Sequence, residues 1–122
     1  MTVLLSIKPE FAEKIFDGTK KYEFRKSIFK NADVKKIVVY ASSPVQKVIG
    51  EFAIAGVLND NVEAIWEETH QDSGITYDYY MSYFSNKEKA YAIKIGQATR
   101  YHQARDLSDY NIKTPPQSFA YL

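Results

Sequence analysis

Pro9 and Gly18 frame the stretch that most constrains how this chain folds. Proline suits the first turn of a helix, where its missing N–H forgoes no bond. Glycine adopts the left-handed backbone that ends one. Between them Phe11, Ala12, Ile15 and Phe16 recur at helical spacing, with Glu10, Glu13 and Lys14 outside. The run before Pro9, Thr2 to Ile7, reads as a strand. The run after Gly18, through Lys21-Tyr22-Glu23-Phe24-Arg25, reads as another. The unit is therefore strand, helix, tight turn, strand. Strands alternate faces at period two, which puts Lys21, Glu23 and Arg25 on one face and Tyr22 and Phe24 on the other. The aromatic face requires a core. The charged face is either solvated surface or one wall of a polar cleft, with Lys20 at the strand entrance where the turn swings it inwards.

Further along, Lys36 to Ala41 is a β-branched strand, and Val48 to Val57 is a long strand with Gly50 and Gly56 near its ends. Glycine inside a strand marks a bulge or a close backbone approach, and curled sheets use such positions. Ser27 to Lys35 reads as a loop with Ile28 and Phe29 tucked onto the core. Asn59-Asp60-Asn61 caps a helix carrying Val62, Ile65, Trp66 and Thr69 on one face, and Thr76 caps another through Tyr79, Tyr80, Tyr83 and Phe84. Lys89 to Ile95 is a strand, followed by a separate one from about Ala98 to Arg105. Leu107 to Tyr110 forms a helical turn. The proline-bearing tail, Thr114 to Phe119, is extended and packs back with Phe119 buried. The class is α+β, mainly β: one domain over residues 1–122, a small barrel of five to six mostly antiparallel strands with three short helices.

Charge is polarised along the chain. Residues 1–50 hold ten Lys/Arg against five Asp/Glu, residues 51–90 hold two against eight, and the remainder four against two. A net charge of only +1 excludes binding by bulk charge, although a local basic surface still meets phosphate. There is no cysteine, hence no disulfide framework, thiolate metal site or thiol nucleophile, which fits a cytoplasmic protein. The run Val3-Leu4-Leu5 is too short for a signal segment or a membrane span, so no membrane association is expected. Phosphate-binding glycine loops, metal-ligand motifs and nucleophile elbows are all missing, so neither cofactor nor metal is expected. His70 and His102 read as solvated residues, and Ser42-Ser43 before Pro44 as a turn.

The chemistry-bearing set is Lys20, Glu23 and Arg25. A lysine beside a carboxylate is either a base or nucleophile with its pKa lowered by burial, or one half of a charge-assisted clamp on a polar ligand. A plain surface ion pair, worth on the order of 0–1 kcal/mol, is the third reading.

These residues resemble a known family. Ser6-Ile7-Lys8-Pro9 followed by Gly18-x-Lys20-x-x-Glu23-x-Arg25 is similar to the signature of ASCH domains, named for activating signal cointegrator homology. These domains belong to the PUA-like superfamily of small β-barrels. Tyr40-Ala41-Ser42-Ser43-Pro44, Val48 to Phe52, Ala90 to Ile93 and Pro115 to Phe119 extend the resemblance over almost the whole chain. It implies a PUA-like barrel with a cleft along the Lys20–Arg25 strand and RNA or a modified nucleoside as ligand. One branch of the family hydrolyses the acetyl group of N4-acetylcytidine with a lysine, a threonine and a glutamate. Lys20 matches that lysine, but Glu23 stands at the threonine's position, so that catalytic set is not intact here. Other ASCH proteins are ribonucleases or RNA binders.

Three functions follow as expectations. The first is a module binding RNA or a nucleoside. Lys8, Lys20, Glu23 and Arg25 would meet phosphate or polar base edges, Tyr40 or Phe119 would stack, and Ser42, Ser43, Gln117 and Ser118 would border the cleft. The second is an enzyme on a modified nucleoside or RNA, with Lys20 catalytic and Glu23 its partner. On charge alone, Glu23 would keep Lys20 ionised, which favours the clamp over nucleophilic attack. The third is a protein-interaction module using the acidic, tyrosine-rich stretch from Glu67 to Phe84.

Overall fold

The computed structural model describes residues 1–122. Six strands, β1 (Thr2–Ile7), β2 (Tyr22–Arg25), β3 (Lys36–Ala41), β4 (Lys47–Asn61), β5 (Lys89–Arg105) and β6 (Phe119–Tyr121), form one mixed sheet in the order β2-β5-β4-β3-β1-β6. Three helices accompany it: α1 (Pro9–Asp17), α2 (Val62–Thr69) and α3 (Tyr77–Tyr83). Only β1 and β3 run parallel, and the crossover between them carries α1; the other pairs are antiparallel. The sheet curls into a half-barrel with β2 and β6 at its edges, the expected PUA-like architecture.

Local sequence accounts for the framing elements. Pro9 opens α1, and Gly18 closes it at φ +87° with its N–H on the Ile15 carbonyl. Asn61 and Thr76 cap α2 and α3, accepting from the N–H groups of Ala64 and Tyr79. Leu107–Tyr110 is a 3-10 turn.

The curl comes from β4 and β5, whose pairing shifts register three times, between Val48 and Gly50, Phe52 and Ile54, and Ile54 and Gly56. At Gly50 the expected close approach is present: a Cβ there would lie 2.6 Å from the Thr99 carbonyl oxygen and closer still to the Phe16 ring. Two boundaries differ from the sequence reading. β5 is one strand rather than two, because the bulges absorb the irregularity around Gly96 without breaking the ladder to β4. Asn59 and Asp60 belong to β4, which leaves Asn61 alone as the cap.

Three apolar clusters hold the fold. Val3, Leu5, Ile37, Val39, Phe52 and Ile93 lie among those filling the concave face with Ala12 and Ile15 of α1; Phe29 is tucked in there from its loop. Phe24, Ile65, Tyr80 and Phe84 join Ala90 and Ala92 under α2 and α3. Trp66 stays half-buried, its ring 4.8 Å from that of Tyr80. Leu4, Val38, Tyr40 and Val48 form a third group behind the sheet, covered by Tyr101, Leu107 and Tyr110. No helix is long and apolar enough to cross a membrane.

Candidate functional site

A cavity of about 250 Å³ opens where the end of β1, the start of α1, β2 and α3 meet. Phe11, Phe24, Tyr79 and Tyr83 give it aromatic walls. Ser6, Lys8, Lys20, Glu23, Arg25 and Gln117 supply its polar groups.

Lys20 is the deepest of these, only 2 % exposed. Its Nζ donates to the Ser73 carbonyl at 2.8 Å and sits 4.8 Å from the centre of the Phe24 ring and 5.3 Å from that of Phe11. Burial in this aromatic box lowers its pKa from 10.5 to about 8; the Glu23 carboxylate pulls it back up, and Lys14 pushes it further down. Charge alone pointed to a fully ionised lysine. Desolvation outweighs the attraction of Glu23, so Lys20 gives up its proton more readily than a solvated lysine, while most of it stays ionised at neutral pH.

The lid of the box is the loop before α3, which lends three successive carbonyls to the first unit. The Asp72 carbonyl accepts from the Lys21 N–H at 2.8 Å, Ser73 from Lys20, and Gly74 from the Lys14 Nζ at 2.9 Å. Gly74 sits at φ +70°, and a Cβ there would come within 2.7 Å of the Lys20 Cβ. Only glycine combines that backbone with that contact. Lys21 is exposed rather than sharing a buried face with Glu23: it lies just before β2 and is turned by its bond to the loop.

Glu23 is 6 % exposed and accepts from Arg25 Nη1 at 3.1 Å through Oε2. Arg25 also reaches across the open side of the half-barrel. Nη1 donates to the Ser6 carbonyl at 3.3 Å, and Nη2 donates to the carbonyl and hydroxyl of Ser118 at 3.2 and 3.1 Å. The Ser6 hydroxyl donates to the Pro116 carbonyl at 2.7 Å. One guanidinium therefore ties β2 to β1 and to the tail leading into β6. This use differs from the expected contact with ligand phosphate, because both terminal nitrogens are already engaged.

The remaining sequence candidates divide. Lys8 is exposed at the cavity, its Nζ 5.2 Å from the Tyr79 ring centre, and Gln117 lines the opening. Ser118 touches the site through Arg25. Phe119 packs back against Phe29 but is half-buried rather than buried as expected, and it lies outside the lining. Tyr40 is 2 % exposed in the cluster behind the sheet, so its ring has no face to offer a base; strand alternation points it away from the cavity. Ser42 and Ser43 stand in the turn after β3 and do not border the cavity either. Tyr79 and Tyr83 were missed as lining residues, although the sequence carries a signal. α3 and its C-cap carry two stripes, Tyr80/Phe84 and Tyr79/Tyr83, each of residues four apart, and one core face needs only the first.

The ASCH domain family profile matches residues 5–98. This chain belongs to the ASCH domain family. It is 32% identical over 126 residues to an ASCH domain-containing ribonuclease of Zymomonas mobilis, covering 98% of this chain and 82% of that protein. The crystal structure of ASCH from Zymomonas mobilis superposes with a TM-score of 0.90 at 29% identity, covering 99% of this chain and 87% of that one. The large ribosomal subunit protein uL22 of Ureaplasma parvum is 32% identical over 121 residues. There the ASCH chain spans only 39% of the longer protein's length.

Proposed function

We propose that this ASCH domain acts on RNA by drawing one unpaired nucleotide into the cavity. The observation that carries this reading is the pairing of aromatic walls with a polar end in a space of about 250 Å³. That volume lies just under the ~300–1,000 Å³ usual for small-molecule sites, suited to one base and its sugar. Rings such as Phe11, Tyr79 and Tyr83 stack any base, at roughly 1–3 kcal/mol each. Glu23 engages Arg25 through Oε2, which leaves Oε1 to accept from a base amino group. RNA as the ligand class is supported by the identity to the Zymomonas ribonuclease.

A second reading, that the domain also cleaves the RNA it binds, is favoured by Lys20. A lysine that only held phosphate would do best fully charged. With a pKa of about 8, roughly one Lys20 in ten is neutral at pH 7, enough for a general base. In strand cleavage the neutral amine takes the proton of a ribose 2′-hydroxyl, and the 2′-oxygen bonds to the adjacent phosphorus. The P–O5′ bond breaks, and the proton returns from the ammonium to the departing 5′-oxygen. Lys20 in the same state would also serve attack on the acetyl group of N4-acetylcytidine.

The test incubates the wild type, Lys20→Met and Lys20→Arg with single-stranded RNA and with N4-acetylcytidine, following binding and products. RNA binding by the wild type is expected, with cleavage lost in both variants while each retains the wild-type circular dichroism. Binding without products leaves a reader of RNA rather than a nuclease. Turnover of acetylcytidine alone replaces RNA with the nucleoside. No binding of either ligand by folded wild type would remove the proposal.

A further inference from the structure

Five cations lie at or near the cavity: Lys8, Lys20 and Arg25 line it, Lys26 lies over its Tyr83 wall, and Lys14 reaches the loop before α3. Three are spent within the chain. Lys14 and Lys20 donate to the carbonyls of Gly74 and Ser73, and both terminal nitrogens of Arg25 are engaged. Lys8 and Lys26 are different. Both are exposed, and neither has a carboxylate partner. Each Nζ lies over a tyrosine that walls the cavity, Lys8 at 5.2 Å from the Tyr79 ring centre and Lys26 at 4.7 Å from that of Tyr83. The tyrosine ring holds each lysine in place without neutralising it.

Tyr79 and Tyr83 stand four residues apart on α3, one helical turn, or about 6 Å along the axis. Lys8 follows the end of β1 and Lys26 the end of β2, so the two lysines reach that wall from different strands. Two uncompensated cations on one wall offer contacts to two phosphates of a strand. A lone nucleoside has no use for two such cations, and a terminal monophosphate uses only one.

We propose that Lys8 and Lys26 are a pair of phosphate subsites flanking the cavity, so that the ligand is an internal nucleotide of a single strand, held by the phosphates on its 5′ and 3′ sides. The inference rests on the RNA reading above and narrows it from nucleoside or RNA to a strand engaged within its length. Lys26 then becomes a binding residue that spacing in the sequence did not single out.

The experiment measures binding of a five-nucleotide single-stranded RNA, its sugars 2′-fluorinated to block cleavage, across a series of salt concentrations. Each phosphate neutralised on a single strand contributes about 0.7 to the slope of log affinity against log salt. The wild type is expected to give a slope near two such contacts and to prefer the pentanucleotide over the matching free nucleoside by at least tenfold. Lys8→Ala and Lys26→Ala are each expected to lower the slope by about one contact. Lys30→Ala removes an equally exposed lysine beside Met1 and Tyr121, in a depression that shares no residue with the cavity, and is expected to leave the slope unchanged. RNA binding with a slope insensitive to either lysine, or sensitive to only one, overturns the paired subsites and leaves the RNA reading standing. Equal affinity for nucleoside and pentanucleotide also overturns the pair. Absence of binding to either ligand defeats the RNA reading itself.

Discussion

Lys20 is held between two demands. The aromatic box disfavours its charge, and Glu23 favours it, with burial the stronger of the two. Its pKa falls from 10.5 in the unfolded chain to about 8 in the folded one, so between those values the unfolded state carries the extra proton. Stability therefore rises with pH across that window, and below pH 8 the penalty of burying the ammonium is present in full. A fall from 10.5 to about 8 corresponds to roughly 3 kcal/mol. Urea unfolding at pH 7.5 and pH 10, wild type against Lys20→Met, is expected to show the wild type gaining up to about that amount relative to the variant, over and above what the other titrating groups change in both. If Lys20 is the base of a cleavage reaction, the single-turnover rate is also expected to climb with pH and level off above about 8. A flat profile would separate its burial from catalysis.

At the scale of elements, the loop before α3 makes the site what it is. Gly74→Ala places a methyl 2.7 Å from the Lys20 Cβ at a backbone angle of φ +70°. Strain of this kind costs about 1–3 kcal/mol before any clash is counted. Gly18→Ala meets similar strain at φ +87° but nothing within 4 Å. Thermal melts are expected to rank Gly74→Ala well below Gly18→Ala in stability, and RNA binding is expected to suffer only in the former. The contrast also explains what the sequence disclosed. α1 could be bounded at Pro9 and Gly18 because both signals act within a turn of the chain. The barrel class followed from alternation and glycine placement for the same reason. Lys20's burial could not be read in this way, since the carbonyl that receives it belongs to Ser73, 53 residues away. Nor could Tyr40's: strand spacing gives it a face but does not say which face holds the cavity. β5 was split at Gly96 because a bulge and a break look alike until the partner strand is known.

Across the whole molecule, Arg25 closes a gap that backbone pairing leaves open. A lysine there would supply one point charge where the guanidinium offers a fork. Arg25→Lys is expected to lose about 2 kcal/mol of tail docking, the scale of hydrogen bonds to a charged group. Hydrogen exchange should then quicken roughly thirtyfold at the amides of β6, while β3 and the centre of β4 hold their protection. An unchanged rate at β6 would mean that its pairing with β1 and the packing of Phe119 suffice alone. The pairing itself joins distant parts of the chain: Val3 faces Tyr121, and the Leu122 N–H donates to the Thr2 carbonyl at 3.0 Å. On a translating ribosome, β1 emerges first and waits until more than a hundred residues have followed it before β6 can add to its edge. Translation at about 5–20 residues per second makes that wait several seconds. Throughout it Arg25 has Glu23 and Ser6 to hold but not Ser118, and Gln117 is missing from the rim. The nascent domain can thus assemble most of its interior while its mouth stays unfinished, and the arrival of the segment from Pro116 to Tyr121 sets the moment at which the site becomes whole.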